Sequence, residues 1–458
     1  MKIVFVRPKP LPETIGLQHL MIVEPLELEM LAVLINDIHE VKIIDMFLEN
    51  KEIDQLLMED IPDVVCVTGY INHVPAIIDV CKKAKRISPE ILTIVGGVHV
   101  ELNPEDLDNE CIDFRVVRNA TRVFPLLIGH IYNNGFFPPG VLTKNQKINS
   151  AELPGFDFYL PIPDRTLTER YRRKYFYVFH NRVALMKTSI GCPCNCNFCY
   201  SIALTEGKFY QKPLSEIIEE LQNIKEKEIY IADDNFLVNK SRIYEFIELL
   251  KKHNIHKRFL VYGRADFIAA NPDVIMKFKN AGLRSIVVGL ESFFDNDLKS
   301  FNKNTTTDIN IKAMEILNKY GVNCFAALII PPWWKREDFI KAGKTMLKLG
   351  IRYVNLQPLT PLKGIQIGEE NSRMIVSRDN FAHWDLAHVI LEPEHMSVSD
   401  FYKCILDLYE KLIFHPRHIF SHLKYPLRMQ YKVARGLMKV RRQYKEIICA
   451  TKKTEKHN

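Results

Sequence analysis

The apolar run Ala184-Leu185-Met186-Lys187-Thr188-Ser189 leads through Ile190 into Gly191-Cys192-Pro193-Cys194-Asn195-Cys196-Asn197-Phe198-Cys199-Tyr200. Four thiols on one short loop form a soft donor set, the kind that iron–sulfur clusters and zinc prefer. A structural zinc site usually draws on two separated knuckles. No second Cys/His pair of suitable spacing follows, so a cluster is favoured and zinc stays open. What surrounds the loop fixes its place in the fold. Downstream, β-branched runs at Glu228–Ala232, Arg258–Tyr262, Ser285–Gly289, Cys324–Ile330 and Tyr353–Leu356 alternate with helical patterns near 213–226, 241–254, 272–281, 308–320 and 335–349. Counting Ala184–Ser189, these are six consecutive βα units. They predict a barrel or partial barrel over 181–365, with its chemistry at the C-terminal ends of the strands. The cysteine loop lies at the first of those ends.

Upstream, residues 1–135 show a second α/β alternation. Strands are expected at Lys2–Val6, Val41–Asp45, Asp63–Val67, Ile91–Val95 and Ile112–Val117, with helices near 24–38, 51–59, 72–86, 103–109 and 123–133. Five strands in this alternation predict a doubly wound, flavodoxin-like (Rossmann-type) sheet that binds ligands beyond its C-terminal strand ends. That singles out Arg7–Leu20, Thr68–Asn72, Gly96–Pro104 and Arg118–Arg122. Residues 136–180, rich in proline and aromatics, read as a linker packed between the domains. Residues 366–458 read as a helical C-terminal region.

With 458 residues, 47% hydrophobic and 26% charged, the composition is that of a globular protein and excludes disorder and collagen-like repeats. No apolar stretch reaches the ~18 residues of a membrane span, and the N-terminal run is too short for a signal peptide. Ten cysteines without a secretory signal predict reduced thiols or metal ligands in a cytoplasmic protein. The net charge of +7 is concentrated in the tail: residues 421–458 hold eleven Lys/Arg against Glu446 and Glu455. There Met429, Val433, Leu437, Val440, Tyr444 and Ile447 recur at helical spacing. Such a basic amphipathic helix either packs its apolar face on the barrel or lies on an anionic membrane surface. No basic, aromatic-interleaved module accompanies it, so nucleic acid is not expected as a partner.

Cys192-x3-Cys196-x2-Cys199, with Phe198 before the third cysteine, resembles the signature of radical S-adenosylmethionine (SAM) enzymes. The resemblance implies that Cys192, Cys196 and Cys199 hold three irons of a [4Fe–4S] cluster, the fourth iron staying open for the amino and carboxylate groups of SAM. Cys194 is then a spare thiol. Further segments resemble the same family. These are Asp233-Asp234 after the second barrel strand and Arg264 after the third. Glu291 after the fourth and Lys303 beyond it also fit. With Phe198, the resemblance makes Asp233, Asp234, Arg264 and Glu291 SAM contacts. The family's glycine turn after strand five is replaced by Ile329-Ile330-Pro331-Pro332-Trp333-Trp334, whose indoles are candidate pocket walls. Gln357–Gly364 after strand six is typical of the branch with an N-terminal cobalamin (B12) domain.

Glu24-Pro25-Leu26-Glu27-Leu28, Val41–Asp45 and Val95-Gly96-Gly97-Val98-His99 resemble that branch over roughly residues 1–420. By this resemblance Thr68, Gly69, Tyr70, Gly96, Gly97, Val98 and His99 contact cobalamin. Arg7–Leu20 lacks a cobalt-ligating Asp-x-His-x-x-Gly, so cobalamin is expected without a protein histidine, His19 being a surface residue. Where the branch often has Gly-Glu-Gly-Glu, this chain has Arg118-Asn119-Ala120-Thr121-Arg122. The implied activity is methylation of an unactivated carbon of a small-molecule, natural-product or lipid substrate, with SAM serving twice and a flavodoxin- or ferredoxin-type electron donor. The rivals are a radical cyclisation, rearrangement or carbon–carbon coupling without methyl transfer, and a non-catalytic metal- or cluster-binding interaction protein. No catalytic acid or base is singled out.

Overall fold

The computed structural model describes residues 1–148, 153–363, 365, 373–416, 418 and 425–456. Gly364 of the strand-six motif, Lys424 of the basic tail and the expected domain boundary at 366 lie outside them. The first sheet contains β1 (Lys2–Arg7), β2 (Glu40–Asp45), β3 (Val64–Thr68), β4 (Leu92–Gly96), β5 (Phe114–Val116) and β6 (Val141–Thr143), ordered β2-β1-β3-β4-β5-β6. All neighbours are parallel except β5 and β6. The alternation along β1 explains the layers. Ile3 and Phe5 pack with Leu28 and Phe124 on one face, while Val4 and Val6 pack with Leu57 and Ile77 on the other. A strand buried on both faces must be apolar throughout, which is why these runs lack a polar alternation.

Two expectations need correcting here. The helix expected at 103–109 forms earlier, at Val98–Leu102, and only a 3-10 turn, Pro104–Leu107, follows. Pro104 lacks the N–H that would continue the helix through it. The segment expected to be a plain linker donates β6 to the sheet. Arg115 of β5 is buried, and its guanidinium donates to the carbonyls of Pro104 (3.0 Å), Thr143 (2.6 Å) and Gln146 (3.0 Å). That charge needs acceptors, and folding β6 over the sheet edge supplies two of them.

The second sheet contains β7 (Val183–Met186), β8 (Glu228–Ile231), β9 (Arg258–Arg264), β10 (Leu283–Glu291), β11 (Asn323–Ile330) and β12 (Tyr353–Pro358), all parallel and in chain order. It curls without closing, since β7 and β12 do not pair. Side chains occupy the free edge of β7: Leu185 N–H donates to the Glu24 carboxylate, and its carbonyl accepts from Arg165 at 2.6 Å. The expected partial (β/α)6 barrel is therefore present, its edge capped from the first domain side. Its helices, among them Leu214–Asn223, Lys240–Lys252 and Thr307–Tyr320, bury one outer core, while Leu185, Tyr230, Leu260, Val287 and Phe325 fill the concave side.

Beyond the barrel the helical reading holds for Val398–Ile413 and Leu427–Glu455 but not for 373–397. There Asp385 Oδ1 accepts from the N–H groups of Ala387 and His388, and Trp384 Nε1 donates to the Ser377 carbonyl. Such local side-chain bonds compete with helix formation. The tail helix buries Met429, Val433 and Tyr444 against the body. Among the described residues, no helix is long and apolar enough to cross a membrane.

Candidate cofactor chamber

The loop 191–199 is held on both flanks. Asp233 Oδ1 accepts from the N–H of Thr188 (2.6 Å) and Ser189 (3.0 Å), and its other oxygen accepts the Thr188 hydroxyl. Asp234 accepts from Gly191 N–H at 3.0 Å. Gly191 sits at φ 81°, and a Cβ there would lie 2.1 Å from the Lys208 carbonyl oxygen, so no other residue fits. On the far flank Asn197 Nδ2 donates to Ser300 O (2.8 Å) and Asn302 Nδ2 to Asn195 O (2.6 Å). Of the two acids, Asp233 is buried and occupied by these donors. Asp234 is exposed, and it helps raise the phenols of Tyr70 and Tyr262, so it faces the open space beside the loop.

The thiols are placed beside N–H donors. Arg264 Nη1 lies 3.4 Å from Cys196 Sγ, and Asn235 Nδ2 lies 3.8 Å from Cys192 Sγ. A hydrogen bond from the Cys194 thiol, more than any other neighbour, pulls Cys192 down to about 6; burial pushes Cys199 up to about 11. Cys194 thus acts on Cys192 directly rather than standing apart. Among the described residues no three His, Cys, Asp or Glu converge on one point as a single ion would require. An iron–sulfur cube takes each thiolate on a different iron, so three thiols on a pinned loop with N–H donors to sulfur suit a cluster better than zinc.

Around the loop the expected contacts are partly engaged with one another. Arg264 forms a fork with Asp266 (Nη2–Oδ2 2.8 Å, Nε 3.1 Å) and donates to the Lys303 carbonyl at 2.7 Å. Glu291, at φ 58° where the β10–β11 register shifts, is ion-paired with Lys303 Nζ at 2.8 Å, both side chains nearly buried. Lys303 Nζ lies 5.6 Å from the Phe198 ring centroid. Trp334 is core, and both Trp333 and Trp334 donate their indole N–H to Asp297 at 2.9 Å. Asp297 was not legible as a site residue, because nothing in Asp295-Asn296-Asp297 distinguishes it from a solvated helix start.

The first domain faces this loop with its own C-terminal strand ends. Gly97, at φ 102°, follows β4, and a Cβ would lie 2.4 Å from Thr68 Oγ1. Gly96 is not so constrained, its nearest neighbour being Val116 at 3.6 Å. Gly69 packs under His73, and Val98 opens the short helix Val98–Leu102. His99 does not face the chamber: it is buried, with Nε2 2.9 Å from Asp106 Oδ2 and its ring edge-on to Phe381. Tyr70 exposes 60% of its surface, yet the protein around it, then Glu27, Tyr262 and Asp234, drives its phenol upward. Accessible to solvent, it stands on the side of the first sheet that faces Asp234 and Tyr262 of the barrel. His19 sits in a 3-10 turn against the tail helix and near Lys439, away from the chamber.

Two further residues join the two halves. Glu101, raised to about 7 by burial against the pull of Arg118 and Lys187, lies beside Tyr200, the residue after Cys199. Arg118–Arg122 is not an open turn. Arg118 pairs with Glu206 (3.0 Å), Asn119 with the Gly155 carbonyl (2.7 Å) and Thr121 with the Tyr159 carbonyl (2.9 Å), so this segment clamps 154–159.

The chain matches the B12 binding domain over residues 14–128 and the Radical SAM superfamily over residues 186–346. It is a radical SAM protein with an N-terminal B12-binding domain. Among its relatives is the hopanoid C-3 methylase of Methylococcus capsulatus, 28% identical over 418 residues, covering 88% of this chain and 78% of the relative. The solved structure of the radical SAM methyltransferase TsrM from Kitasatospora setae, with cobalamin and a [4Fe-4S] cluster bound, has a TM-score of 0.67 at 13% identity over 98% of this chain and 99% of that one. The cobalamin-dependent radical enzyme OxsB, with aqua-cobalamin and SAM bound, gives 0.66 at 14% identity over 97% of this chain and 71% of that one. At these identities the two structures establish the fold: a B12-binding sheet, a curled half-barrel and a helical C-terminal region.

Proposed function

We propose that this radical SAM protein is a cobalamin-dependent C-methyltransferase acting on an unactivated carbon of a lipid or other apolar small molecule. The observation that carries the reading is the shared chamber. Tyr70 after β3 is within electrostatic reach of Asp234 after β8 and Tyr262 near the end of β9, and Arg118 after β5 pairs with Glu206 just past the cysteine loop, so the C-terminal strand ends of the two sheets face each other and their ligands would meet there. When bound, the cluster and SAM supply the 5′-deoxyadenosyl radical and cobalamin supplies the methyl group. The chain's own residues bind and enclose. Cys192, Cys196 and Cys199 would hold the cluster, and Arg264 and Asn235 would set N–H dipoles against its sulfurs. Phe198, Asp234 and Glu291 are the SAM-side contacts of this reading; Asp233 and Arg264 serve it by fixing the loop. Thr68, Gly69, Tyr70, Gly96, Gly97 and Val98 form the cobalamin side. His99 enters only as a buried support.

On this reading residues 1–135 form the cobalamin domain and 181–365 the radical domain, with a flavodoxin- or ferredoxin-type donor in a reducing cytoplasm. The lipid class is supported by the name of the hopanoid-directed relative. The test is anaerobic purification and reconstitution with iron, sulfide and hydroxocobalamin, followed by iron and corrin quantitation. About four irons and about one corrin per chain, with iron lost in Cys192→Ala, are expected. With a hopanoid as substrate, the product should gain the mass of one methylene. Turnover to 5′-deoxyadenosine without that gain would move the assignment to cyclisation or coupling, and no 5′-deoxyadenosine at all would leave a non-catalytic binding protein.

A further inference from the structure

At the end of the barrel opposite the cysteine loop, the N-terminal strand ends open onto a groove of about 1160 Å³. The seven residues of β9 run from Arg258 in this groove to Arg264 beside Cys196. At ~3.3 Å per residue the groove is therefore about 20 Å from the chamber, too far to share its chemistry.

Three parts of the chain wall the groove. Arg173, Lys174 and Arg182 come from the segment leading into β7, and Arg258, Lys279 and Arg284 from the base of the barrel. Arg428, Lys432 and Arg435 come from the first turns of the tail helix. Among the described residues, nine cations thus line the groove against one carboxylate, Glu228. That carboxylate is already engaged by His180 at 2.9 Å and Arg258 at 3.1 Å. The whole chain carries only +7, so this one concavity concentrates more positive charge than the molecule has in net. The crowding is felt locally: Lys432 Nζ lies 3.1 Å from the Phe176 ring centroid, and burial with the neighbouring Arg428 pulls its amine down to about 8. The 29-residue helix Leu427–Glu455 also directs its positive dipole end here, with Pro426 at its start giving no side-chain cap. Phe176, Phe179 and Tyr431 add aromatic surface to the lining.

We propose that this groove binds clustered phosphates, carried either by a soluble phosphorylated molecule or by an anionic lipid headgroup. Guanidinium forks match phosphate oxygens two at a time, and several arginines held against their mutual repulsion call for a ligand with more than one negative charge. The site is independent of the methyl-transfer reading and does not require turnover.

The test uses the full chain. Inorganic tripolyphosphate is titrated by calorimetry, and sedimentation compares vesicles of phosphatidylcholine alone with vesicles containing phosphatidylglycerol. The charge reversal Arg173→Glu/Arg428→Glu/Arg435→Glu changes three exposed side chains, and Lys252→Glu/Lys341→Glu/Lys344→Glu removes the same charge elsewhere on the surface. We expect binding that falls about tenfold or more in the groove variant and about twofold or less in the control, as for a local rather than a net-charge effect. Titration without sedimentation assigns a soluble phosphorylated ligand, and sedimentation without titration assigns a lipid headgroup. The milder Arg173→Gln/Arg428→Gln/Arg435→Gln serves if circular dichroism shows the reversal misfolds. Binding to neither probe, or equal loss in groove variant and control, overturns the proposal.

Discussion

The buried ion pair behind the cysteine loop offers a sharp energetic test. Lys303 Nζ and Glu291 Oε1 are 2.8 Å apart, with side chains only 6% and 9% exposed. Replacing Lys303 by Met keeps much of the volume but leaves the Glu291 carboxylate without its cation, which for a buried pair costs about 3–5 kcal/mol. Glu291→Gln strands the lysine instead and should cost a similar amount. The double variant strands neither charge, so its cost should fall well below the sum, with a coupling of about 2 kcal/mol or more by a double-mutant cycle. The assay is urea unfolding followed by tryptophan fluorescence. Two of the three tryptophans, Trp333 and Trp334, stand on the turn after β11, both bonded to Asp297, so much of the signal reports on this end of the barrel. Because the Lys303 carbonyl also accepts from Arg264, which touches Cys196, the single variants should lose reconstituted iron in parallel. Additive costs, or a Lys303→Met cost under about 1 kcal/mol, would refute the claim that the pair is dehydrated and interdependent.

Three other outcomes follow from the same geometry. Asp297→Ala removes the acceptor of both indoles and of Ser292 Oγ, leaving at least two buried donors unpaired, so unfolding should become easier by about 2–6 kcal/mol; Asp297→Asn should lose less. Glu29, buried with one carboxyl oxygen unpartnered, has its carboxyl raised by burial from 4.5 to about 8. Between those values the folded state holds a proton that the unfolded chain has released, so stability falls as pH rises from about 4.5 through 8, by up to about 5 kcal/mol. Glu29→Gln should flatten that slope and raise the melting temperature at pH 8; an unchanged profile would count against it. Gly97→Val forces a β-branched residue into φ 102° and onto Thr68, so corrin retention should drop sharply while the iron content of the reconstituted protein stays near that of the parent; equal corrin binding would remove Gly97 from the cobalamin side.

Much of this molecule is local chemistry written in order along the chain. Both α/β alternations, the six barrel strands and the position of the cysteine loop were legible because a strand buried on both faces must be apolar and the chain visits parallel strands one after another. The spacing of Cys192, Cys196 and Cys199 carried the family for the same reason: all three sit on a single loop. What the sequence could not decide were pairings between distant segments. Asp233 and Asp234 are adjacent in sequence, yet one is consumed by Thr188 and Ser189 while the other faces the chamber. His99 follows the glycine pair closely enough to look like a ligand contact, but Asp106 and Phe381 bury it. Glu24 looks like part of a motif and proves to cap the open edge of β7. The basic groove needs the linker, the barrel base and the tail helix to meet: the tail's cations were legible along the chain, but not that three of them face the cations of the linker and barrel base across one concavity. Side-chain direction depends on which neighbours arrive from far along the chain, and burial favours the pairings that satisfy charges and hydrogen-bonding groups.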